Sequence, residues 1–379
     1  MPDRPPEDDR LGRLYSKRRV LLTGHTGFKG GWTAIWLNRL GAHVHGIALP
    51  SDSPSLFEAA AVSGLVEHHI ADITDPQALA EAIGGFEPEL IIHMAAQAIV
   101  RTSFAAPVDT LATNIMGTAH LLEAARHMPT LRGIVVVTSD KCYRNSEGHW
   151  GYREIDPLGG NDLYSASKAC AEIVTAAYRH SFFREPDSPA IATVRAGNVF
   201  GGGDWAADRI VPDIIRSALA GEPVRIRSPH SVRPWQHVLE PLAGYLEIGA
   251  RMLSGEAGSD GAWNFGPDVE NVVDVKRLAQ LVRHIWGPGG PEFSFARDNA
   301  DPPEHNLLRL DSTKARLQLG WRSRLPLEES VRMTVDWYRA WAAGSDMRSF
   351  TEQQIESYAA VPVGASVNSF IPNEVPACA

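Results

Sequence analysis

Tyr164-Ser165-Ala166-Ser167-Lys168 sets a phenol and an ammonium four residues apart. On a helix those positions share one face. An ammonium beside a phenol favours phenolate and lowers its pKa from the ordinary value of about 10. A phenolate poised near neutrality can take a proton from a hydroxyl while hydride leaves the carbon that bears it. Such a pair is common by chance, so its company decides. Upstream, an apolar strand ends in Thr138-Ser139-Asp140-Lys141. Ser139 is placed to share a substrate hydroxyl with Tyr164. Asp140 and Lys141 add a second acid and base. Asn114, in Asn114-Ile115-Met116-Gly117-Thr118, is the residue type that holds a helix open around a proton-relay water.

Hydride needs an acceptor, and the N-terminal part offers a place for one. Gly24-His25-Thr26-Gly27-Phe28-Lys29-Gly30 directly follows a short apolar run and opens a helical pattern. Glycines at these offsets permit a tight turn and close approach of a pyrophosphate to backbone N–H groups at a helix N-terminus. The next strand ends Ala48-Leu49-Pro50-Ser51-Asp52, so the usual ribose-binding acid is missing from the strand end and Asp52 is a weak substitute. Between Arg39 and Arg101 there is no Lys or Arg. A ribose 2′-phosphate would want one there, so NAD is favoured over NADP. Lys29 and Arg39 are the cations that weigh against this. Asp72-Ile73 is placed to meet an adenine edge.

The elements that must position these groups alternate. Strands are expected at 19–23, 44–49, 68–70, 90–94, 134–138 and 191–195, with helices at 30–40, 113–128 and 164–182. This alternation implies right-handed βαβ units, hence a Rossmann-like, doubly wound parallel α/β sheet. Beyond Gly201 glycines, prolines, tryptophans and arginines become dense. Short strands at 224–227 and 263–265, and helices at 239–252, 273–285, 312–319 and 327–342, describe a smaller, interleaved C-terminal α/β domain. The expected division is a disordered lead over 1–17, a dinucleotide-binding domain over 18–200 plus 233–258, a substrate domain over 201–232 plus 259–345, and an extension over 346–379.

Composition narrows the classes. The 379 residues carry a net charge of −9, which gives no global attraction for nucleic acid or anionic lipid. Cys142, Cys170 and Cys378 have no metal-ligand spacing and form no disulfide framework, so no metal is expected and a reducing compartment fits. No window approaches the roughly 18 apolar residues of a membrane span. The polar N-terminus has no secretory core, which makes the expected location cytoplasmic.

Gly24–Gly30, Asp72, Met94-Ala95-Ala96-Gln97, Asn114, Ser139 and the Tyr164/Lys168 pair together resemble the extended short-chain dehydrogenase/reductases. The stretches 24–32, 138–145, 195–209 and 233–245 are similar to the nucleotide-sugar 4,6-dehydratases, and within that family to the branch acting on CDP-glucose. The resemblance covers about residues 18–345. Gly31, where serine is expected, is a small departure.

The resemblance implies resident NAD, held by Gly24, Thr26, Gly27, Phe28, Lys29, Gly30, Asp72, Ile73, Ala95, Ala96, Gln97, Thr138, Tyr164 and Lys168. It implies oxidation at C4 of the sugar, loss of water across C5 and C6, and return of hydride to C6. Asp140 would be the acid for the C6 hydroxyl, with a pKa raised by burial. Lys141 would be the C5 base and needs a lowered one. The substrate pyrophosphate would meet Asn198, the Gly201–Gly203 run, Arg209 and Arg233, with Trp205, Trp235 and His237 shaping the nucleotide site. The cytosine base comes from the resemblance alone. A homodimer through the helices after about 100 and 164, or a homotetramer of such dimers, is also implied. A nucleotide-sugar 4-epimerase, which needs no acid and base at C5 and C6, is the competing enzyme. A dehydratase with another nucleotide and a non-catalytic NAD-sensing scaffold are the remaining alternatives.

Overall fold

The computed structural model describes residues 7–146, 148, 150–295 and 308–363. Twelve strands are present among them: β1 (Arg19–Thr23), β2 (His43–Ala48), β3 (Glu67–Ile70), β4 (Leu90–His93), β5 (Gly133–Val137), β6 (Ala190–Ala196), β7 (Asn198–Phe200), β8 (Val224–Ile226), β9 (Val232–His237), β10 (Gly261–Phe265), β11 (Val272–Asp274) and β12 (Phe293–Phe295). Seven form one parallel sheet in the order β3-β2-β1-β4-β5-β6-β10. That order reverses direction between β1 and β4, so a crevice opens at the carboxyl ends of those strands.

The strands read as unbroken apolar runs because both faces are covered. Side chains alternate across the sheet. Val20, Leu22, Leu90 and Ile92 join the core that also holds Leu242, Leu246 and Trp32. Leu21, Ile91, Ile134 and Val136 join the opposite core with Leu79, Leu121 and Leu122. The helix Leu239–Ser254 is buried along nearly its whole length and packs on β5 and β6.

Three boundaries differ from the sequence reading. Within the expected disordered lead, Glu7–Tyr15 is a helix packed on Leu239–Ser254. Leu11 and Tyr15, four apart on one face, are fully buried, and the Tyr15 hydroxyl donates to the Leu246 carbonyl at 2.9 Å. The substrate domain does not own β10. That strand adds in parallel to β6 at the edge of the large sheet, with Trp263 and Phe265 in the core. Conversely, β9 leaves the large sheet and pairs with β7 and β11 in a three-stranded sheet. Finally, the expected C-terminal extension begins with a helix, Met347–Ala360, packed on the helices Phe28–Arg39 and Leu327–Ala342. Its Tyr358 hydroxyl donates to buried Glu240 at 3.0 Å, and Trp337 donates to its Thr351 at 2.9 Å. The remainder of that extension, with Cys378, lies outside the described residues. No helix among those described is long and apolar enough to cross a membrane.

Candidate active site

A cavity of about 1000 Å³ opens at the crevice and extends between the large sheet and the β7-β9-β11 side. At one end lies the glycine turn. Gly24 has φ of +79°, and a Cβ there would sit 2.7 Å from the Ala95 nitrogen. A Cβ on Gly30 would sit 2.0 Å from the Gly24 carbonyl oxygen. Only glycine permits the turn to close this tightly against the loop after β4. The helix Phe28–Arg39 that follows has Gly27 as its N-cap, no side-chain cap and no acid in its first turn. Its first N–H groups therefore face the cavity as an anion site. Thr26, Lys29, Asp72, Ile73, Ala95 and Ala96 line the same end. The Asp72 carboxylate accepts from the Thr74 N–H at 2.8 Å, which fixes the turn after β3. This cradle, with its uncapped helix end, fits a dinucleotide pyrophosphate.

At the centre, Thr138, Ser139, Asp140 and Lys141 leave the end of β5. Ser139 caps the short turn Asp140–Cys142, its hydroxyl accepting from the Lys141 N–H at 3.2 Å and donating to Asp140 Oδ1 at 3.0 Å. The helix Leu163–Phe182 begins at an Asp162 cap and brings in Tyr164 and Lys168. All six side chains line the cavity. Burial raises the Asp140 pKa against the opposing charges of Lys141, Arg233 and Lys29, so its carboxyl leans towards the protonated form. Lys168 is lowered to about 8 by burial. Lys29 is lowered to about 8 by burial and by the like charges of Arg209 and Lys168.

The phenol departs from expectation. Burial pushes Tyr164 up to about 12, against a hydrogen bond with Ser139. The sequence reading counted the nearby cation and had no measure of desolvation, which is the larger effect here.

Other expected residues stand behind the cavity. Asn114 lies in a widened π-helical turn, Ala112–Gly117, as an opened helix requires. Its amide accepts from the Gln97 N–H at 2.9 Å and donates to the Gln97 carbonyl at 3.0 Å and to Ser167 Oγ at 2.8 Å. Asn114 thus ties the loop after β4 to the helix bearing Tyr164. The Gln97 side chain is turned to Thr110 and the Ile99 N–H, and Gln97 does not line the cavity.

Of the residues expected on the nucleotide sugar, Asn198, Arg209, Arg233 and Trp235 line the cavity, and Trp205 and His237 do not. Trp205 packs against Tyr338 and Trp341 at centroid distances of 5.0 and 4.6 Å. His237 is fully buried, edge-on to Trp32 at 5.8 Å, and burial holds it neutral with a pKa of about 3. Both corrections have one cause: the aromatic core that supports this wall uses the same residue types a stacking site would.

The sequence reading missed several lining groups. Buried Asp204 pairs with Arg209 at 2.9 Å and aims it. Arg101, Arg225 and Arg227 add cations, with Arg227 held by Asp208 at 3.0 Å. A long-range arginine cluster has no local spacing signature, so only the run of arginines after Gly201 hinted at it.

The chain is 46% identical over 351 residues to the CDP-glucose 4,6-dehydratase of Salmonella typhimurium, covering 91% of this chain and 97% of that protein. Among solved structures, the UDP-glucose 4-epimerase of Thermotoga maritima with UDP-glucose matches at a TM-score of 0.73 and 23% identity, over 86% of this chain and 99% of that one. The dTDP-glucose 4,6-dehydratase of Bacillus anthracis in complex with NAD matches at 0.69 and 19%, over 85% and 96%. These two share the fold. The GDP-mannose 4,6 dehydratase family model matches residues 21–334, and the chain belongs to that family.

Proposed function

We propose that this protein is an NAD-dependent CDP-glucose 4,6-dehydratase, a lyase forming CDP-4-keto-6-deoxy-D-glucose and water. The observation that carries the reading is the convergence of Tyr164, Lys168 and Ser139 with a buried Asp140, whose pKa burial raises, and with Lys141 on one cavity. Oxidation alone asks for the first three. A further acid and base are what an elimination asks for.

NAD, bound at the glycine turn, supplies the transient acceptor for the C4 hydride. Tyr164 takes the proton of the sugar 4-hydroxyl, and Ser139 donates to the same oxygen. The C4 ketone acidifies the C5 proton, which Lys141 removes. Asp140, its pKa raised by burial, delivers a proton to the departing C6 hydroxyl, so that water leaves. With the C4 hydride returned to C6 and the proton held by Lys141 returned to C5, the product is a 4-keto-6-deoxy sugar. Arg209 and Arg233 offer charge-assisted donors to the substrate pyrophosphate. The exposed Val108, Met116 and Ile173, on the segments Pro107–Gly117 and Leu163–Phe182, support pairing of two copies through those helices.

Incubation with NAD and each of CDP-, dTDP-, UDP- and GDP-glucose tests the reading. The expected product has lost one water, CDP-glucose is preferred, and reduced nicotinamide does not accumulate. An unchanged product mass means epimerisation, and stoichiometric NADH means a plain dehydrogenase.

Gly30→Ala tests the cofactor end. Its Cβ cannot coexist with the Gly24 carbonyl 2.0 Å away, so the turn must open. Dinucleotide affinity, measured by calorimetric titration, is expected to fall by at least about tenfold, equivalent to about 1.4 kcal/mol, with the circular dichroism spectrum preserved. Unchanged affinity would place the pyrophosphate elsewhere.

A further inference from the structure

On the helix Leu163–Phe182, Tyr164, Lys168 and Glu172 follow at steps of four, and all three are buried. Glu172 is not part of the cavity wall. Its carboxylate nonetheless accepts four hydrogen bonds beneath the site. Thr138 Oγ1 donates to it at 2.5 Å, Thr193 Oγ1 at 2.6 Å, and Arg195 Nε and Nη2 at 2.8 and 2.7 Å. Arg195 also donates to the Tyr143 hydroxyl at 2.6 Å, its guanidinium 4.8 Å from that ring, and Tyr143 donates to Asn264 at 2.8 Å. Thr138 immediately precedes Ser139-Asp140-Lys141, and Tyr143 follows them after Cys142. One buried ion pair therefore grips both flanks of the turn that carries three reacting side chains.

We propose that Glu172, locked by Arg195, is a positioning residue for the reaction: it supplies a fixed negative charge one helical turn from Lys168, and it clamps the 138–143 turn. This rests on the roles proposed above for Tyr164 and Lys168.

The titratable groups facing Lys168 leave Glu172 as its source of negative charge. His93, from β4, is held neutral by burial at a pKa of about 3. The Cys142 thiol is pushed well up by burial and stays protonated. Lys29, across the cavity, is a like charge. Burial would also raise Glu172, but Arg195 and the two threonines outweigh it and keep the carboxylate ionised. Burial already draws the Lys168 ammonium towards neutrality, and Glu172 opposes that pull. A buried pair seldom adds net stability over apolar residues of similar size, so stability alone is a weak account of this one.

Glu172→Gln keeps the shape and most hydrogen-bonding capacity and removes the charge. The chain has six lysines, so ¹³Cε resonances resolve Lys168 directly, assigned by its loss in Lys168→Met. The expected result is a fall in the Lys168 titration midpoint of about one pH unit or more. The alkaline limb of the kcat profile should move down with it, with at least about a tenfold loss of kcat at neutral pH and a smaller change in KM. A merely structural role lowers the melting temperature and leaves both midpoints in place, and that result overturns the proposal. If Arg195 left without a counter-charge prevents folding, Glu172→Gln with Arg195→Gln removes both charges together and carries the same test. The NMR titration needs no substrate. Absence of dehydratase turnover in the unmodified protein would therefore sink the functional reading and still leave the Lys168–Glu172 coupling measurable.

Discussion

Tyr164→Phe is expected to abolish product formation while nucleotide-sugar affinity stays within a few-fold. Only 7% of Tyr164 is exposed, and it stands with Ser139 on the cavity wall. Phenylalanine fills the same volume and keeps the ring packed. What disappears is the oxygen that must move a proton in the transition state, and such a loss falls on kcat rather than on ground-state binding. Removal of a general base costs about 10²- to 10⁴-fold. The pH profile supplies a second check. With burial holding the phenol at about 12, its phenolate fraction grows about tenfold per pH unit through the neutral range. Turnover should rise with pH until Lys168 begins to lose its proton near 8, and then bend over. Any residual activity of the phenylalanine variant should lack the rising limb. Single-turnover absorbance measures the first step and calorimetry the affinity. Turnover like that of the unmodified protein would remove Tyr164 from the role of base.

The groups that were legible in the sequence are those whose chemistry depends on local spacing. Gly24 and Gly30 are required by one turn, and Tyr164 and Lys168 by one helix face. Ser139, Asp140 and Lys141 are adjacent in the chain. Each set reaches the cavity because a single element carries it. The strands that hold those elements were equally legible, since a parallel sheet covered on both faces demands unbroken apolar runs such as Ile134–Val137.

What failed depended on partners distant in sequence. β9 and β10 are both short, and which sheet each joins is decided by the neighbours β7 and β6. Leu11 and Tyr15 lie in a charged segment, and their burial exists only because Leu239–Ser254 offers a surface to cover them. Trp205 and His237 carry the chemistry of a ligand site, but Tyr338, Trp341 and Trp32 surround them. The Tyr164 pKa failed for a related reason. A sequence displays the charge four residues away and does not display how much water has been removed.

Lys141→Ala should separate the two halves of the reaction. The backbone N–H of Lys141, not its side chain, satisfies Ser139 in the capped turn, and alanine retains that N–H. Asp140, Ser139, Tyr164 and Lys168 therefore keep their places. The side chain is half-buried and lines the cavity, so its removal takes away an amine and little packing. Oxidation at C4 needs none of it and should persist. Removal of the C5 proton should slow by about 10²- to 10⁴-fold, leaving the 4-keto-glucose and reduced nicotinamide on the enzyme in a single turnover. Exchange of the C5 proton with solvent deuterium should fall in parallel, because exchange and elimination share that deprotonation. The two readouts locate the fault. Loss of both C4 oxidation and C5 exchange would mean that Lys141 serves substrate binding or the first step. Normal dehydration with normal exchange would leave Lys141 a cation on a turn. The C5 base would then have to be another group within reach of the same cavity, such as Tyr164 acting a second time after passing the C4 hydroxyl proton to solvent.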